Sequence, residues 1–196
     1  MDLPRDEPLF CRLLGPAFAR LPASVQALHR AALPCRFHGR ANVTPAHRPW
    51  LRGLARWVRL PTREGEVPIA VTISAHGEGQ CWHRDFPPHP MVSALSADGD
   101  LLRERLGPAT LHFRLHADAQ GLTWDLCRVR VLGVPLPRAW FTVLARESER
   151  EGRYCFEVRA EMRGIGLLAG YAGWLDVAVS GAPAAGAGDA SLLLPR

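Results

Sequence analysis

The sequence predicts an α+β fold: a strongly curved antiparallel β meander, an open or closed barrel, with N-terminal helices packed on it. Three observations lead there. Leu111, Phe113 and Leu115 alternate with His112, Arg114 and His116, and Tyr154, Phe156 and Val158 alternate with Cys155, Glu157 and Arg159, the period of a strand with one buried and one wet face. Leu122 to Leu132 and Trp140 to Ser148 lie between them, joined by Gly133-Val134-Pro135-Leu136-Pro137 and then by Glu149-Arg150-Glu151-Gly152; such short gaps let sequence neighbours be sheet neighbours. Before residue 60, most of the apolar spacing is helical instead.

Taken in order, Pro8 to Leu14 sets Leu9, Phe10, Leu13 and Leu14 at helical spacing. Gly15-Pro16 ends that helix, and a second begins near Pro22 with Leu21, Val25 and Leu28 as its stripe. Arg36 to Thr44 reads as a first strand, with Phe37, Gly39, Ala41 and Val43 on one side. From His47 to Leu60, an apolar stripe of Trp50, Leu51, Leu54, Trp57 and Val58 runs among Arg48, Arg52, Arg56 and Arg59, a strongly amphipathic helix. Laid across the open end of a sheet it keeps its arginines in water; the same mixture suits a membrane surface or a lipid gate.

Ile69, Val71 and Ile73 start a second strand, which Gly77-Glu78-Gly79 reverses into Gln80 to Phe86. This is no dinucleotide loop, because a third glycine and a following helix are missing, and no cofactor is expected. Pro87-Pro88-His89-Pro90 breaks the chain before a short strand at Met91 to Leu95, and Leu101 to Leu106 fits either a strand or a helical turn. Near Leu126 the apolar parity switches from even to odd numbers, the mark of a bulge that re-aims the strand. Ile165 to Val179, apolar on both parities and carrying Gly166, Gly170 and Gly173, reads as a covered last strand. The domain thus spans 1–179, and 180–196, largely alanine, glycine and proline, is expected to be a flexible tail.

A chain of 196 residues, 47% hydrophobic and 22% charged, can bury one sizeable core. All 24 basic residues are arginine, which reads as codon usage rather than partner choice, but their placement is uneven. Residues 1–60 hold ten arginines against three acids, and residues 61–196 hold fourteen against sixteen, so an anionic surface would meet the N-terminal part. The basic surplus is modest and lacks a recognised motif, and no nucleic acid is expected. Cys11, Cys35, Cys81, Cys127 and Cys155 are odd in number and unpaired in spacing, hence expected reduced and buried. Without a basic leader or a run long enough to span a bilayer, a cytoplasmic, soluble protein is expected.

No stretch carries a reaction signature: there is no Gly-x-Ser-x-Gly elbow and no cysteine in a protease context. His112 and His116 share a strand face about 13 Å apart at roughly 3.3 Å per residue, too far to share one metal. His83 and Arg84 point to opposite faces of a strand. Arg84, Glu104, Arg128, Glu147 and Arg153 would form either a polar pocket floor or, as the expectation here, an ordinary surface ladder. If the sheet encloses a cavity, the candidate ligand-binding residues are Trp50, Trp57, Trp82, Arg84, Phe113, Glu147, Phe156 and Tyr171.

Several motifs in order resemble a known family: Leu9-Phe10-x-x-Leu13-Leu14-Gly15, Gly39-Arg40-Ala41, Trp82-x-Arg84-x-Phe86, Glu104-Arg105-x-Gly107-Pro108, Gly133-Val134-Pro135-Leu136-Pro137, Gly152-Arg153-Tyr154-x-Phe156-x-Val158 and Tyr171-x-Gly173-Trp174-Leu175. They are similar to an uncharacterised bacterial domain family found alone or fused behind a saccharopine-dehydrogenase-like NAD-binding domain. The resemblance covers roughly residues 8 to 176 and departs at Arg163-Gly164, where the family tends to have a proline. It implies a possible reductase-like partner but carries no activity. Two functional expectations remain: a non-catalytic domain holding a lipid-like or other hydrophobic small molecule, with the residue 47–60 helix as lid and possible membrane contact; or an enzyme or reductase accessory domain in which His83, Arg84 and Glu147 act on a polar substrate.

Overall fold

An even number of alternately directed strands can close into a barrel with every neighbour antiparallel, since the last returns against the first in the opposite sense. The described residues do so with ten strands. A computed structural model of the protein describes residues 7–87 and 89–178; the expected tail lies outside the described residues. Three helices, α1 (Leu9–Leu14), α2 (Ala23–Arg30) and α3 (Pro49–Trp57), accompany the strands β1 (Cys35–Pro45), β2 (Gly65–His76), β3 (Gly79–Phe86), β4 (His89–Asp98), β5 (Leu101–Leu106), β6 (Ala109–Asp118), β7 (Gly121–Val131), β8 (Val134–Leu136), β9 (Phe141–Arg150), β10 (Arg153–Met162) and β11 (Gly166–Leu175). The sheet order is sequential, β11 pairs with β1, and the short β8 is an extra flap on β7.

The closing seam requires two glycines. Gly39 faces Leu175 and Gly173 faces Ala41 across β1 and β11. A Cβ on Gly39 would sit 1.9 Å from the Trp174 carbonyl oxygen, and one on Gly173 would sit 2.0 Å from that of Arg40. No side chain fits either gap.

At one end, α1 and α2 form a stopper. Phe10 is fully buried and stacks on His29 at 3.8 Å between ring centroids, with Trp124 at 5.7 Å and Trp82 at 6.2 Å. The start of α2 is tied down by the Ser24 backbone N–H donating to Glu149 Oε2 at 2.7 Å, a carboxylate beside a helix N-terminus. A 3-10 turn over Gly15–Arg20 links the two helices where the sequence pattern gives only a break.

The opposite end stays open because one seam parts there. β7 pairs with β9 only at Leu122–Glu147 and Thr123–Arg146, near the stopper; its far half pairs with β8 instead. Arg138 donates from Nε to the Leu126 carbonyl at 2.9 Å and holds the intervening turn against β7. The expected bulge exists: Phe113 pairs with Leu126 and His112 with Arg128, so Cys127 is the extra residue, and both Leu126 and Val129 are buried.

Several expectations need correction. Helix α3 is shorter than His47 to Leu60, and its buried face centres on Leu51 and Ala55, not on the tryptophans. At 3.6 residues per turn, Trp50 lies about 100° round from Leu51; Trp50 is 52% and Trp57 48% exposed. Leu51 packs with Ala46 and Leu168, which anchors the helix to β11. Leu101–Leu106 is strand, β4 is longer than Met91 to Leu95, and the segment read as a turn contains β8. All five cysteines are free, but only Cys11 is buried; the other four sit at half-covered positions.

Candidate functional site

Strand alternation sends every second side chain inward, and the described barrel encloses a cavity of about 310 Å³, at the small end of ligand sites. Its walls are apolar: Val71, Met91, Leu111, Leu126, Val143 and Val158 are among the residues that line it. Toward the open end α3 contributes Leu54 and Trp57, and the parted seam contributes Leu136, Trp140 and Phe141.

Polar side chains converge inside. Arg84 of β3, Glu104 of β5, Glu147 of β9, Tyr154 of β10 and Tyr171 of β11 all line the cavity and are buried. Arg84 donates from Nη1 to Ser93 Oγ at 2.8 Å, stands 3.6 Å from Glu104 Oε1, and lies over the Trp82 ring at 4.9 Å. Trp82 is fixed by its own indole N–H, which donates to Gln80 at 3.0 Å. Glu147 meets His29 Nε2 at 2.6 Å; His29 Nδ1 has no hydrogen-bond partner among the described residues.

Both phenols are held protonated. Burial pushes Tyr171 up to about 12, with Glu104 adding to that effect and Arg84 opposing it. Tyr154 stands well above its ordinary value, first through burial and then through the charge and hydrogen bonding of Glu147.

Seven of the eight sequence candidates, Trp57, Trp82, Arg84, Phe113, Glu147, Phe156 and Tyr171, surround this one cavity; Trp50 does not, standing on the outer side of α3. The expected surface ladder is corrected. Arg84, Glu104 and Glu147 are inside, whereas Arg128 and Arg153 are exposed, the latter lying over the Trp174 ring at 4.7 Å. Sequence proximity also misled for His83, which alternation places on the exposed outer face. The histidine that reaches the interior is His29, 118 residues from its partner Glu147; no local pattern marks it. Tyr154, Glu104 and Ser93 complete the polar set; the inward parity of their strands marks all three, and Glu104 and Tyr154 also stand in the motifs that carry the family resemblance.

His38, His47, His76, His83 and His116 are exposed, and His112 is buried beside Asp98, outside the lining of the cavity. His112 Nε2 is 3.1 Å from Asp98 and His116 Nε2 is 3.0 Å from Asp125. Burial lowers the His112 pKa, with Asp98 opposing and Arg128, Arg103 and Arg130 reinforcing the drop. Among the described residues, no group of three or more histidine, cysteine or acidic side chains is placed to hold a metal. No helix there is long and apolar enough to cross a membrane.

No curated protein and no solved structure compared with this chain matches it significantly. The family model for the domain of unknown function DUF4166 matches residues 21–175, which takes in α2 and every strand of the barrel, and the chain belongs to that family.

Proposed function

We propose that this domain binds a lipid-like small molecule inside its barrel and exchanges it at the open end against an anionic membrane surface. The observation that carries the reading is the cavity itself, with apolar walls, a buried polar floor and a mouth between α3 and the parted seam. Around that mouth, Trp57, Trp140, Leu132 and Val134 are 48%, 54%, 72% and 59% exposed. The segment 46–63 carries Arg48, Arg52, Arg56, Arg59 and Arg63 with no acid. Exposed aromatics beside arginines suit a lipid headgroup layer.

Leu132 supports the same reading. It sits in a two-residue turn at φ 52°, a conformation in which glycine or asparagine is at ease and leucine costs about 1 kcal/mol. An exposed leucine there has no packing reason within the barrel. Binding is favoured over catalysis because neither histidine reaches the cavity: His29 pairs with Glu147 without lining it, and His83 lies outside.

Native mass spectrometry of gently purified protein tests the first half: a small molecule that leaves on denaturation is expected. Protein that carries nothing and takes up no Nile red, a neutral apolar dye, would overturn it. For the second half, Arg52→Glu with Arg56→Glu should weaken binding to phosphatidylserine-containing vesicles by at least about tenfold, at about 1 kcal/mol per charge near the surface. Unchanged vesicle binding removes the membrane from the reading.

A further inference from the structure

The polar floor is electrically closed but unfinished as a hydrogen-bonding surface. Arg84 is 8% exposed and Glu104 8%, both lining the cavity. Of Arg84's five N–H donors, the one hydrogen bond to a described residue is that from Nη1 to Ser93. Its separation from Glu104, 3.6 Å, is a close ion pair but too long for a good hydrogen bond. The Glu104 carboxylate accepts no hydrogen bond from a described side chain closer than that. Side by side, the cavity therefore offers spare donors and a spare acceptor.

The charge count decides what can use them. Of the two arginines at the cavity, Arg146 is exposed and donates to Gln120 at the surface, so one buried guanidinium stands against two carboxylates, Glu104 and Glu147, the second of them paired with His29. Tyr154 and Tyr171 add neutral O–H groups. With both carboxylates ionised the floor carries no net positive charge. A carboxylate brought to Arg84 would sit within a few Å of Glu104 in a low-dielectric interior, where like charges cost much more than in water.

Resting on the ligand-binding reading above, we propose that the ligand's polar head is uncharged, a hydroxyl or amide that accepts from Arg84 and donates to Glu104, and that the floor discriminates against fatty carboxylates. The lone buried arginine is an incomplete anion site because its countercharge is already built in. Specificity here comes from the repulsive element, Glu104, as much as from the attractive one.

The test is displacement of Nile red from the full chain at neutral pH by decanol, decanamide, decanoate and decylamine. Decanol and decanamide should displace the dye at concentrations at least tenfold below decanoate and below decylamine. Chain hydrophobicity alone separates an alcohol from an acid, so the decisive reading is the decanoate-to-decanol affinity ratio in Glu104→Gln. It should move at least tenfold toward decanoate. Glu147→Gln, which also removes a floor carboxylate, should move it in the same direction and serves if the first variant does not fold. A ratio unchanged in the folded variant, or wild-type protein that prefers decanoate or decylamine, would overturn the neutral-head assignment while leaving the binding reading intact. If neither the dye nor any of the four amphiphiles binds, both are overturned.

Discussion

His29, near the end of α2, and Glu147, on β9, meet at 2.6 Å with both side chains buried. This bond joins the stopper helix to the barrel wall, alongside the Ser24–Glu149 bond at the start of the same helix. A buried hydrogen bond to a charged group is worth about 1.5–3 kcal/mol. His29→Ala and Glu147→Ala should each lower stability by about that much, and a double-mutant cycle in denaturant should return a coupling of at least about 1 kcal/mol. Strict additivity would mean that the stopper is held by the Ser24–Glu149 bond and the apolar contacts of Phe10 without this pair.

Phe113 and Phe156 both line the cavity, but Phe113 is 2% exposed and packs edge-on against Trp124 at 5.6 Å, whereas Phe156 is half-buried. Phe113→Ala is expected to cost about 3–5 kcal/mol. Phe156→Ala should cost clearly less, because the space it vacates joins a cavity that already exists. Equal losses in urea unfolding would contradict the difference in packing.

Alkaline pH should loosen the barrel through Tyr171. Its folded pKa is raised to about 12 from an ordinary value of 10, so above pH 10 the unfolded chain releases a proton that the folded one retains. Stability is therefore full below pH 10 and falls as pH rises to 12, by up to about 1.4 kcal/mol per pH unit for this group. Tyr171→Phe should flatten that slope in denaturant titrations, with the Tyr154 contribution remaining. An unaltered slope would place the phenol in contact with solvent.

At the seam, Gly39→Ala should cost about 3 kcal/mol or more, since backbone and not a flexible side chain occupies the site of the new Cβ. Gly53→Ala is the matched control. Nothing lies within 4 Å of a Cβ there, in the exposed face of α3, and the helix should gain up to about 1 kcal/mol. Thermal melts that rank the two alike would argue against a closed β1–β11 seam.

Leu132→Asn separates membrane contact from folding. The turn conformation should make the variant about 1 kcal/mol more stable, while its binding to phosphatidylserine-containing vesicles should weaken. Weaker vesicle binding together with lower stability would mean that Leu132 is held by the fold itself.

Most of the strands and their inward faces are legible in the sequence, although Leu101–Leu106 and β8 are not. A period of two along 111–115 and 154–158 tells which residues share a side, the parity change at Leu126 locates the bulge at Cys127, and short polar gaps dictate that neighbours in the chain pair in the sheet. These are local properties of backbone geometry and burial, so a linear reading reaches them. Closure, the parted β7–β9 seam and the meeting of Arg84, Glu104, Glu147 and His29 were decided only by the tertiary structure. Those four residues come from β3, β5, β9 and α2, and each looks locally like one more charged or polar residue in an ordinary strand or helix. The hand of α3 illustrates the same limit: Trp50 and Leu51 are adjacent in one apolar stripe, and only the position of Ala46 and Leu168 decides that the leucine is buried and the tryptophan stays at the surface.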